Sequence, residues 1–104
     1  MKLVRDLIPV IIEQSGGSCE WRYTKSREEL ISLLIKKVNE EALELVESDV
    51  EGAVEEAGDL YEACKALASV CGVSMKQAEE AAYLKKLKRG GFGAGIVLKS
   101  SRRV

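Results

Sequence analysis

The sequence contains no histidine. This absence excludes histidine general bases, Ser-His and Cys-His nucleophilic pairs, and zinc or di-iron sites that depend on histidine ligands. The three cysteines include no CxxC pair, so they form neither a disulfide framework nor a zinc knuckle. Any catalysis must therefore depend on carboxylates, lysine, tyrosine or a metal ion.

Long hydrophobic runs and a net charge of one sign are also missing. The apolar run over residues 7–12 contains a proline and is too short for a membrane span or a signal peptide. Sixteen Lys and Arg residues nearly balance seventeen Asp and Glu residues, so nothing indicates a nucleic-acid polymer as partner. We expect a single domain over residues 1–104, in a reduced, cytoplasmic protein that does not bind membranes.

Local start and stop signals divide the middle of the chain into three helices, which predicts an all-α fold. The starts are marked by Ser26 with Glu29, by Ser48 or Asp49, and by Ser74 with Gln77; the ends lie near Glu47, Gly72 and Gly90. A short N-terminal helix over residues 6–14, capped by Asp6, tolerates Pro9 in its first turn. The Gly-rich tail after Gly91 is expected to be irregular.

Charge is segregated along the chain although the total nearly cancels. Residues 40–62 contain ten acids and no Lys or Arg, whereas the chain after Glu80 contains seven bases and no acid. Such blocks repel themselves internally. Either a cation binds the acidic part and an anion the basic part, or the two segments neutralise each other in the fold.

Helical projection at about 100° per residue places some of these acids on the apolar side of their helices. The inner stripe of the first long helix contains Leu30, Leu33, Leu34, Lys37, Glu40, Glu41 and Glu44, and that of the second contains Glu56, Asp59, Leu60, Ala63, Leu67 and Val70. An ionised carboxylate removed from water without a partner costs several kcal/mol. Protonation, a buried base or a metal ion can each neutralise these groups.

A metal ion is the simplest of the three, because Lys37 is the only base on either stripe. Two packed helices would present the four inward acids around one point, and an all-oxygen site favours Mg²⁺ or Mn²⁺ over zinc or copper. The alternative is a solvated acidic end of a helical hairpin, where no ion is needed.

The strings EEALE (Glu40–Glu44) and EAGD (Glu56–Asp59), eleven residues apart, resemble the paired acidic motifs of the all-α nucleotide pyrophosphohydrolases. That superfamily includes the MazG-like proteins and the phosphoribosyl-ATP pyrophosphohydrolases. The opening KLVRDLIP (Lys2–Pro9) and the closing KRGGF and GIVL (residues 88–92 and 95–98) are similar to the ends of a MazG-like group. The resemblance therefore covers nearly the whole chain.

The resemblance implies hydrolysis of a nucleoside triphosphate between the α and β phosphates, giving the monophosphate and pyrophosphate. It implies Mg²⁺, with Mn²⁺ as a substitute, bound by Glu41, Glu44, Glu56 and Asp59. Glu40 is expected nearby, either as a further ligand or as a group that supports the ligands. Glu40 and Glu41 are the expected catalytic carboxylates, and which carboxylate accepts the proton of the attacking water stays open. The expected substrate-binding residues are Lys2, Arg5, Lys37, Lys88 and Arg89.

Two long helices make only a hairpin, and the first has a further apolar face formed by Ile31, Ile35, Val38, Ala42, Leu45 and Val46. A second subunit is expected to cover that face and complete a four-helix-bundle core, which predicts a homodimer or a higher homo-oligomer.

Two alternative functions remain open. One is the phosphoribosyl-ATP pyrophosphohydrolase of histidine biosynthesis, and the other is a non-catalytic helical module that binds a nucleotide or a metal.

Overall fold

The computed structural model describes residues 1–102, which contain four α-helices and no strand. The helices are α1 (Ile8–Gln14), α2 (Arg27–Glu47), α3 (Val50–Val70) and α4 (Met75–Arg89). The predicted all-α fold class is confirmed. The chain groups into two compact units, one over residues 1–73 with α1, α2 and α3, and one that begins at Ser74 and contains α4. None of these helices combines the length and apolar character that crossing a membrane requires.

Helices α2 and α3 form an antiparallel hairpin, because only Ser48 and Asp49 connect them. The Ser48 hydroxyl donates to the Leu45 carbonyl at 2.8 Å, and the Asp49 carboxylate accepts from the Gly52 N–H at 2.7 Å. Ser48 and Asp49 were both predicted as possible caps of α3, and Asp49 is the residue that caps it. At the open end, the Arg27 guanidinium donates to the carbonyl of Val70, the last residue of α3, at 3.2 Å.

The other helix ends follow the predicted signals with two exceptions. Gly72 and Gly90 both have φ of +81°, the left-handed region in which a glycine ends a helix without steric cost. The capping box of Ser74 and Gln77 is complete. The predicted cap at Asp6 is wrong: α1 begins at Ile8, and Leu7 at the cap position makes no side-chain hydrogen bond. Asp6 lies one residue too early to cap this helix.

The second exception is the start of α2, where only half of the predicted capping box forms. The Ser26 hydroxyl accepts from the Glu29 N–H at 3.1 Å, but the Glu29 carboxylate accepts from the Lys25 N–H and from both terminal nitrogens of Arg22. The hydrogen bonds from Arg22, followed by the one from the Lys25 N–H, lower the pKa of Glu29 to about 2. Arg22 thus ties the segment before α2 to its first turn.

The apolar contact between α2 and α3 is small. Leu34 and Ala63 are the buried hydrophobic residues of the described chain, with 4% and 7% of their surface exposed. The other apolar residues of the inner stripes are half-buried, whereas the acids Glu55 and Glu62 of α3 are exposed. The hairpin therefore turns a mixed apolar and acidic strip inward.

Asp49→Ala is expected to lower the free energy of unfolding by about 1 kcal/mol, because the Gly52 N–H loses its acceptor. Urea unfolding monitored by circular dichroism measures this loss. Glu62→Ala removes an exposed acid from the outer face of the same helix and is expected to change stability by less than about 0.5 kcal/mol. Equal losses in the two variants would contradict the role of Asp49 as a cap.

Candidate functional site

Three carboxylates from the two hairpin helices converge on its inner side. Glu41 of α2 and Glu56 and Asp59 of α3 each place one oxygen within 4.8 Å of the others. Glu41 follows Leu34 by seven residues, about two turns, so both lie on the face that packs against α3. Glu56 and Asp59 are three residues apart and share a face. We call these three residues the acid trio; all were predicted metal ligands.

Glu41 is the most buried member of the acid trio, with 5% of its surface exposed. Its Oε1 lies 3.1 Å from the Lys37 Nζ, one turn earlier on α2. Its Oε2 is buried and has no hydrogen-bond partner among residues 1–102. Burial removes the water around a charged oxygen. Where no hydrogen bond replaces that water, the loss costs ~1 to 3 kcal/mol or more. A cation, or a proton shared with the neighbouring Glu56 carboxyl group, would neutralise this oxygen.

Glu56 is half-buried, and its Oε2 is also buried without a partner in the described chain. Burial of the carboxyl group, reinforced by the neighbouring carboxylates of Glu41 and Glu44, raises the pKa of Glu56 to about 7. Glu44 therefore lies close to Glu56, although it is exposed and does not belong to the acid trio. Its role as a fourth ligand stays a prediction.

Asp59 has a partner that sequence reasoning missed. The Arg5 Nη2 donates to the Asp59 Oδ1 at 2.8 Å across 54 residues of sequence. The two side chains are 57% and 41% exposed. Arg5 was predicted as a phosphate contact, and only the fold places it on a candidate metal ligand. Two cationic side chains, Lys37 and Arg5, thus pair with members of the acid trio.

The N-terminal segment also lies along α2. A cavity of about 20 Å³ is lined by Met1, Lys2, Leu3, Leu33, Lys36, Lys37 and Glu40. It brings together three predicted site residues, Lys2, Lys37 and Glu40, and adds Lys36, which lies outside the inner stripe. Its volume suffices for about one water molecule, so a nucleotide would have to lie on the open surface beside it.

Lys88 and Arg89 belong to the second unit, in the last turn of α4. Basic side chains at this position also stabilise a helix by interacting with its C-terminal dipole, so their placement has an explanation that needs no substrate. Their role as phosphate contacts stays a prediction.

The residues of the acid trio fit a hard divalent cation. Three carboxylates form an all-oxygen donor set, which Mg²⁺, Mn²⁺ and Ca²⁺ prefer. One oxygen of each carboxylate lies within 4.8 Å of the other two, so side-chain movement alone would bring them around one cation. The unpartnered Oε2 of Glu41 supplies an oxygen that no other group of the described chain uses.

The metal-free protein is expected to lose stability as the pH rises from about 4.5 to above 7. The pKa of Glu56 is about 7 in the folded protein and near its ordinary value of 4.5 in the unfolded chain. The folded state therefore binds this proton more tightly, and the stabilisation disappears once the pH exceeds the folded pKa. Melting temperatures in the presence of a chelator at pH 5 and pH 8 measure the effect.

The neutral Glu56→Gln variant is the matched test, and its melting temperature should depend less on pH over this range. Glu29 does not interfere, because its lowered pKa contributes stability above pH ~4.5 that is lost only as the pH falls towards 2. An unchanged pH dependence in Glu56→Gln would show that another group is responsible.

The site as a whole is a partly buried carboxylate cluster bordered by lysine and arginine side chains. Such an arrangement can bind a divalent cation next to an anionic group. No protein-family model, curated protein or solved structure matches this chain. Its function is therefore inferred from the chemistry of the cluster and from the motif resemblance.

Proposed function

We propose that this protein is a Mg²⁺-dependent nucleotide pyrophosphohydrolase, which cleaves a nucleoside triphosphate between the α and β phosphates. The observation that carries the proposal is the convergence of Glu41, Glu56 and Asp59 from two helices, with a buried oxygen of Glu41 left without a partner. All three residues belong to the acidic strings that resemble the motifs of the all-α nucleotide pyrophosphohydrolases.

Glu41, Glu56 and Asp59 would hold the cation, with Glu44 beside Glu56 as a fourth ligand. A divalent cation bound there neutralises phosphate charge and makes a bound water more acidic. Glu40 precedes Glu41 and is exposed, so its carboxylate is free to accept a proton from the attacking water. Glu41, the other carboxylate assigned to catalysis, is held between the helices by burial and by Lys37.

The cationic side chains around the acid trio would bind the phosphates. Lys2 and Lys37 line the small cavity next to Glu40, and Arg5 contacts Asp59. Each charged hydrogen bond to a phosphate oxygen contributes ~1.5 to 3 kcal/mol.

We also propose that the protein is at least a homodimer. On the further apolar face of α2, Ile35 and Val46 are 48% and 82% exposed, while Ile31, Val38, Ala42 and Leu45 are half-buried. A second copy that covers this face would complete a four-helix core around the hairpin.

Light scattering at micromolar concentration is expected to give a mass of at least two 11.4 kDa chains. Val46→Glu, which puts a charge in the proposed interface, should shift the mass towards one chain. Glu47→Gln, at the neighbouring position, should leave the mass unchanged. A wild-type protein that stays at 11.4 kDa would contradict the assembly.

The proposed activity is tested by measuring pyrophosphate release from a panel of ribo- and deoxyribonucleoside triphosphates and phosphoribosyl-ATP. Each is assayed with Mg²⁺ and with a chelator. Turnover that requires Mg²⁺ supports the proposal, and preference for phosphoribosyl-ATP would indicate the biosynthetic alternative. Tight nucleotide binding without turnover would instead indicate the non-catalytic module.

A further inference from the structure

The N-terminal segment reaches the acid trio through the side chain of Arg5. Arg5 precedes α1, and its guanidinium contacts Asp59 on α3 at 2.8 Å, while residues 1–3 line a small cavity with residues of α2. The guanidinium therefore occupies an oxygen of Asp59, and Asp59 is itself a candidate ligand of a cation. The guanidinium of Arg5 and a metal ion would therefore compete for Asp59.

The exposure of this ion pair decides which competitor prevails. Arg5 is 57% and Asp59 41% exposed, and ion pairs so accessible to water contribute little to stability. A divalent cation, in contrast, would interact with all three carboxylates at once, including the unpartnered Oε2 of Glu41. The Arg5 contact is therefore one that the fold can give up without losing its core, which is formed by Leu34 and Ala63.

We propose that Arg5 is an exchangeable counter-ion of the site: it neutralises Asp59 in the metal-free protein and is released to a substrate phosphate when the cation binds. This inference rests on the proposed function. The planar guanidinium suits both partners, since it forms hydrogen bonds of the same geometry with carboxylate and phosphate oxygens. The exchange keeps the charge of the site balanced in both states.

The exchange predicts that replacing Arg5 strengthens the binding of the metal ion and weakens the binding of the nucleotide. Arg5→Gln removes the competitor and is expected to tighten Mn²⁺ binding in the absence of nucleotide about two- to fivefold, the scale of an exposed ion pair. It also removes a phosphate contact, so a non-hydrolysable triphosphate analogue should bind the Mn²⁺-loaded variant about tenfold more weakly. Isothermal titration calorimetry measures both affinities without turnover.

Arg27→Gln is the matched control, because Arg27 lies at the open end of the hairpin, where it donates to the Val70 carbonyl. It removes the same charge and should change neither affinity. Unchanged or weaker Mn²⁺ binding in Arg5→Gln would overturn the exchange, as would tighter Mn²⁺ binding with normal analogue binding. If Arg5→Gln fails to fold, Arg5→Lys, which keeps the charge but not the planar fork, is expected to show the same two signs more weakly.

The experiment also separates this inference from the proposed function. If Mn²⁺ does not bind to the wild type or to Arg27→Gln, the metal site itself is wrong, and the exchange falls with it. If Mn²⁺ binds normally and with equal affinity to Arg5→Gln and Arg27→Gln, only the exchange is overturned.

Discussion

Glu41→Gln is expected to reduce the turnover of a triphosphate at saturating Mg²⁺ by about 100-fold or more. Changes to groups that merely support a metal ligand typically cost ~10- to 100-fold in affinity or activity, and Glu41 is proposed as a ligand itself. The substitution preserves the size of a side chain that is 5% exposed, so packing against α3 should persist. Initial rates of pyrophosphate release measure the effect.

The matched control for this variant is Glu62→Gln, an exposed acid on the outer face of α3. Its turnover should stay close to that of the wild type. Circular dichroism of both variants checks that the helices are retained. Glu41→Gln with wild-type turnover and an intact fold would remove Glu41 from the site.

The second large effect concerns stability. Mg²⁺ or Mn²⁺ at one hundred times its dissociation constant is expected to add about 2.7 kcal/mol to the free energy of unfolding. For a domain of this size, that corresponds to a rise on the order of 10 °C in melting temperature. Asp59→Asn should lose most of this rise, because the amide is a weaker ligand and carries no charge.

Asp49→Asn is the control for the stability measurement. It makes the same chemical change at the N-cap of the same helix, where asparagine also serves as a cap, and position 49 lies outside the acid trio. The variant should therefore keep the full metal-dependent rise. An equal rise in wild type, Asp59→Asn and Asp49→Asn would place the bound metal elsewhere.

The helices were predictable because their signals are local. Ser74 with Gln77, Asp49, Gly72 and Gly90 act through hydrogen bonds and backbone angles within a few residues, and each lies where its pattern indicates. The inward placement of the acid trio was predictable for a related reason. A helix repeats its faces every 3.6 residues, so the stripe that carries Leu34 also carries Glu41.

Contacts between distant segments were not predictable. Residues 1–7 have no periodic pattern, so nothing in the sequence places Arg5 on Asp59, 54 residues later. The partners of Glu29 were missed because Arg22 approaches from an irregular segment and takes the carboxylate away from the capping box. Helical projection also assigns the same burial to every residue of a stripe, whereas Glu41 is buried and Glu44 is exposed.

The central claim is tested most directly by the products formed from a triphosphate that the protein turns over with Mg²⁺. Anion-exchange chromatography of a time course separates the nucleotide and phosphate species. Cleavage between the α and β phosphates should yield monophosphate and pyrophosphate in equal amounts from the earliest time point, with no diphosphate intermediate and no reaction in a chelator. Orthophosphate with accumulating diphosphate would contradict the proposed reaction, even if the metal binds at Glu41, Glu56 and Asp59.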